Sequence, residues 1–72
     1  MADDSGLIEE VGETAGLVWH TLQDQGPLSY AKLAKTIDAP RDLVMQAVGW
    51  LAREGKVSIE MVGRNRAVAS RE

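Results

Sequence analysis

Between Gly26 and Ala69 the chain is cut by glycine and proline at intervals that leave room only for short elements. Gly26 suits the left-handed position that closes a helix, and Pro27 cannot continue one. Ser29 follows as an N-cap, its hydroxyl able to accept an orphan amide of the next turn. Asp38-Ala39-Pro40 makes a tight turn, with proline favoured at the first position of the helix beyond it. Gly55 stops that helix, and Gly63-Arg64-Asn65 supplies residues that tolerate positive φ in a hairpin turn.

The hydrophobic spacing fills these intervals. From Leu7, the residues Leu7, Ile8, Val11, Ala15, Val18, Trp19 and Leu22 recur on one face of a helix. Gly12 and Gly16 interrupt it at a cost of about 1 kcal/mol each relative to alanine, which is offset if another backbone packs closely there. Pro27-Leu28 forms an extended pair that can act as a third edge strand. A brief second helix turns Tyr30, Leu33, Ala34 and Ile37 inward and leaves Lys32, Lys35 and Thr36 outside. The third helix buries Leu43, Val44, Ala47, Val48 and Leu51, with Trp50 on its flank. Lys56 to Val62 alternates, with Val57, Ile59 and Met61 inward and Ser58 and Glu60 outward. Arg66 to Ala69 returns through Val68. The expected architecture is α+β: a winged helix-turn-helix, with a three-helix bundle and a C-terminal β-hairpin wing, ordered helix, short strand, helix, helix, strand, strand. Residues 1–6 read as a flexible N-terminal tail and residues 7–70 as the domain.

At 72 residues the chain is one domain with a thin core. It has no cysteine, which removes disulfides and thiolate metal sites. No apolar run approaches the roughly 20 residues needed to cross a bilayer. The acidic start lacks the basic-then-apolar order of a signal peptide, so a soluble cytoplasmic protein is expected. The net charge of −3 conceals an asymmetry. Residues 1–26 hold six acids and no base, whereas residues 27–72 hold all eight bases and five acids, a local excess of +3. A positive face on the second half acts within a Debye length of about 8–10 Å whatever the total charge.

The outward face of the third helix carries Arg41, Asp42, Met45, Gln46, Gly49 and Arg53. Arg41 and Gln46 have the chemistry to meet guanine and adenine edges. Arg64 and Arg66, flanking Asn65 at the hairpin tip, suit phosphate or minor-groove contact, and Lys32 and Lys35 extend a basic rim. Asp42 repels phosphate, and an exposed Met45 beside Gly49 makes a soft patch suited to protein contact. The two tryptophans read as core-edge packing, with each indole N–H meeting a carbonyl or water. His20 is a lone histidine without a metal-ligand partner or triad, and no phosphate loop or paired-carboxylate cleft is present. The expectation is a non-enzymatic domain with no cofactor, no metal and no small-molecule substrate. Its expected partner is double-stranded DNA, in a transcription-regulator-like role. The alternative is a protein-interaction or dimerisation module, which takes a protein partner or a second copy through the Met45/Gly49 side or the glycine face of the first helix.

Gly12-Glu13-Thr14-Ala15-Gly16-Leu17-Val18-Trp19 and Ala47 through Val57, with its Gly-Trp-Leu-Ala-Arg-Glu run, resemble a family of small prokaryotic winged helix-turn-helix domains of unknown function. The resemblance spans about Val11 to Val68. It implies the fold and, by analogy, nucleic-acid binding, and it supplies no catalytic residues. It also implies that Gly49 admits a neighbouring backbone while Trp50 closes the core edge.

Overall fold

The computed structural model describes residues 4–71. Three helices, α1 (Asp4–Gln25), α2 (Tyr30–Thr36) and α3 (Arg41–Arg53), pack against three strands, β1 (Leu28–Ser29), β2 (Val57–Val62) and β3 (Asn65–Ser70). The antiparallel sheet has the order β1-β3-β2. Residues 1–3 of the expected tail lie outside the described residues, and residues 4–6 belong to α1 rather than preceding it.

The element ends follow from the punctuation. Gly26, at φ 82°, donates its amide to Leu22 O at 2.9 Å and closes α1. Ser29 sits at φ −69° and ψ 162°, and its Oγ accepts from the Lys32 amide at 3.1 Å, capping α2. α3 ends in a Schellman arrangement: Lys56 N donates to Leu51 O at 2.9 Å, Gly55 N to Ala52 O at 3.1 Å, and Gly55 takes φ 74°. In the hairpin Val62 pairs with Asn65, so the loop is Gly63-Arg64. Only Gly63 has positive φ, 63°, the pattern of a turn with glycine first. Asn65 opens β3 instead of serving the turn.

The core is formed by Val18 and Leu22 of α1, Leu33 of α2, Val44, Ala47 and Val48 of α3, and Val57 and Val68 of the sheet, all almost fully buried. Val68 lies on the central strand, opposite Leu28 on one side and Ile59 on the other. Leu51 and Ile37 complete the wall.

Two expected core stretches leave this body. α1 rises about 33 Å, against about 20 Å for α3, so its first turns overhang and Leu7 and Ile8 are more than half exposed. The wing does the same at the other end. β1 is two residues long and pairs with β3 only at Val68 and Ala67, so nothing covers the distal ribbon. Ile59 is therefore 39% exposed and Met61 60%, although both share the face of the buried Val57. The helix glycines differ from expectation as well. A Cβ added at Gly12, Gly16 or Gly49 would meet nothing within 4 Å, so among the described residues no neighbouring backbone uses them.

Candidate nucleic-acid interface

The pairing of β1 with β3 decides where the wing points. With Leu28 opposite Val68 and Ser29 opposite Ala67, the next wing residue, Arg66, falls beside the start of α2. Arg41, the first residue of α3, reaches the same region from across the Asp38–Pro40 turn. Ser29, Tyr30, Arg41, Arg64, Asn65 and Arg66 together line an open hollow of about 340 Å³. Three arginines from two distant segments border it, with no acidic residue on its lining. Arginine meets anions of phosphate geometry in bidentate fashion, which suits a hollow bordered by three of them.

Four of the seven residues expected from the sequence are gathered here: Arg41, Arg64, Asn65 and Arg66. Lys32 and Lys35 are exposed on α2 and do not line the hollow. Gln46 lies elsewhere. It borders a second hollow with Leu7, Glu10, Asp42 and Leu43, where α1 runs alongside α3. An acidic flank on that side disfavours phosphate near Gln46. Ser29 and Tyr30 were not expected at a site. Only the register of the two-residue β1 brings them in, and a pair this short carries no periodic signal.

The outer face of α3 also differs from expectation. Met45 is half-buried against the core instead of exposed. Trp50 does not close the core edge; it is 43% exposed and lines a largely apolar hollow of about 390 Å³ with Gly49, Arg53 and Glu54. Trp19 is half-buried, and among the described residues no group accepts a hydrogen bond from its Nε1. Its ring meets that of His20 edge-on, with centroids 5.5 Å apart. Among the described residues no group of three His, Asp or Glu side chains is placed to hold a metal ion. No described helix is long and apolar enough to cross a membrane.

Helix order, glycine caps and the β1-β3-β2 ribbon are the plan of the winged helix-turn-helix, and residues 1–70 match one family of that type. The chain belongs to the DUF2582 family of winged helix-turn-helix domains. An uncharacterized protein of Methanocaldococcus jannaschii is 36% identical over 53 residues, which covers 69% of this chain and 74% of that protein. Among solved structures, a HOP2 chain superposes with a TM-score of 0.68 at 26% identity, over 79% of this chain and 97% of its own. That work describes DNA recognition and protein interaction domains of HOP2. An ArsR family transcriptional regulator, RHA00566, superposes with a TM-score of 0.62 at 23% identity, over 97% of this chain and 76% of its own, and shares the fold.

Proposed function

We propose that this domain is a non-enzymatic, transcription-regulator-like module that binds double-stranded DNA in the cytoplasm through phosphate contacts at the wing. One observation carries the reading: Arg41, Arg64 and Arg66 converge on a single acid-free hollow although they come from distant parts of the chain. Lys32 and Lys35 extend the basic surface along α2. Asn65 adds a neutral donor and acceptor at the tip. Gln46, set among Glu10 and Asp42, contributes little to base readout. Phosphate contacts position a protein without conveying sequence, so the binding is only weakly sequence-selective. The likeness to HOP2, whose structural description includes DNA recognition, supports the reading.

A second reading rests on Trp50. A tryptophan left 43% exposed over an apolar hollow suits a protein contact. This interaction-module reading and the DNA reading use different surfaces.

Fluorescence anisotropy with a labelled random-sequence duplex, across a salt series, tests the first reading. Three phosphate contacts give a plot of log affinity against log salt with a slope of about −2.7. Absence of binding at about 50 mM salt refutes DNA binding and leaves the Trp50 surface as the better account.

A further inference from the structure

Two neighbouring rows of exposed residues run up the last turn of α3: Gly49 with Arg53, and Trp50 with Glu54 at the cap. The hollow beside Trp50 is the furrow between these rows, and the same four residues line it. Gly49 deepens the furrow. Glycine is unfavourable inside a helix, and a Cβ there would meet nothing within 4 Å, so among the described residues nothing requires its small size. The missing side chain leaves an empty place beside an exposed indole.

The four residues complement themselves. At the lower level of the furrow a bulky apolar group stands beside an empty place, and one turn above it a cation stands beside an anion. A two-fold axis parallel to α3, passing over the furrow, exchanges the two rows. Trp50 of each copy then meets Gly49 of the other, and Arg53 of each meets Glu54 of the other. A two-fold contact demands such reciprocity, and the furrow offers it at both levels. One arginine and one glutamate leave the furrow locally neutral. The net charge of −3 on each copy therefore opposes association only through groups farther away, which salt screens beyond about 8–10 Å.

We infer, on the reading of Trp50 as a protein contact, that this surface docks a second copy of the chain, with the two α3 helices side by side and pointing the same way about a two-fold axis. Nucleic acid suits the furrow poorly, because Glu54 beside the indole repels phosphate. The surface is small, so the dimer is a weak one, with tryptophan and arginine as its anchors. Parallel helices keep both α3 starts at one end of the pair, and with them the two arginine-bordered hollows.

Sedimentation equilibrium of the full-length protein from about 10 μM to about 1 mM tests this, with the indole N–H signals of labelled protein followed over the same range. The expected result is a mass that rises toward that of a dimer, together with a shift of the Trp50 indole signal, identified by its loss in Trp50→Ala. Trp50→Ala and Gly49→Leu each raise the dissociation constant by roughly tenfold or more. Gly49→Leu does so with no loss of thermal stability, since leucine is the better helix former and its Cβ enters open space. Arg53→Glu and Glu54→Arg each weaken association, because each sets like charges face to face. An equimolar mixture of those two variants restores it, since every facing pair is then of opposite sign. A mixture that associates no better than either variant alone overturns the inference, as does association untouched by Trp50→Ala or Gly49→Leu. A protein that stays monomeric to the top of the concentration range also overturns it. In that monomer, a Trp50 indole N–H that exchanges freely with water leaves the surface open to a different protein, whereas a protected one withdraws the protein-contact reading as well.

Discussion

Val57 and Met61 stand four residues apart on the same face of β2, and the alternation of the strand treats them alike. The fold does not: Val57 is 2% exposed and Met61 60%. Replacing Val57 with alanine removes two buried methyl groups, worth about 0.8 kcal/mol each. The cavity left behind raises the loss to about 2–2.5 kcal/mol. A domain of 72 residues has a total stability of roughly 4–11 kcal/mol, so this one change removes a large share of it. The unfolding midpoint falls by roughly 8–20 °C. Met61→Thr keeps a residue suited to strands and changes stability by no more than about 0.5 kcal/mol. Urea and thermal unfolding followed by tryptophan fluorescence measure both, because the half-buried Trp19 changes environment when the core opens. Equal losses at the two positions would refute the argument, since the distal ribbon would then have to be packed against the body.

Arg64→Ala combined with Arg66→Ala removes two of the three guanidinium groups at the hollow. The salt slope of duplex binding falls in magnitude from about 2.7 to about 0.9, with stability unchanged because both side chains are exposed; an unaltered slope takes the wing out of the interface. Gly12→Ala and Gly16→Ala each raise stability by about 0.8–1 kcal/mol, because the added Cβ enters open space. A loss on urea unfolding, or a change of oligomeric state by light scattering, would mean that the glycine face is covered in solution.

The two halves of this surface carry opposite charge for a simple reason. α1 carries five acids and no base, while Lys32 and Lys35 lie on α2, Arg41 at the α3 start and Arg64 and Arg66 on the wing. Separation of the two along the chain becomes separation in space because α1 lies along one flank of α3 and the ribbon folds back toward α2.

Much of the fold was legible locally. Gly26, Ser29, Pro40, Gly55 and Gly63 act through their own backbone dihedrals and hydrogen bonds within a few residues, so the order and ends of the elements could be read from them. The helical spacing of Val44, Ala47, Val48 and Leu51 likewise marked the buried face of α3. Periodicity reports which face of an element is apolar, but not how far along that element the rest of the molecule extends. Leu7, Ile8, Ile59 and Met61 are exposed because α1 outruns its neighbours and β1 covers only two residues of β3, and lengths of separate elements are compared only once they pack. The meeting of Arg41 with Arg64 and Arg66, and the parting of Gln46 from them, come from the Leu28–Val68 register and the course of α1 past α3. Those are contacts between residues far apart in the chain, so the local sequence holds no record of them and tertiary packing alone sets them.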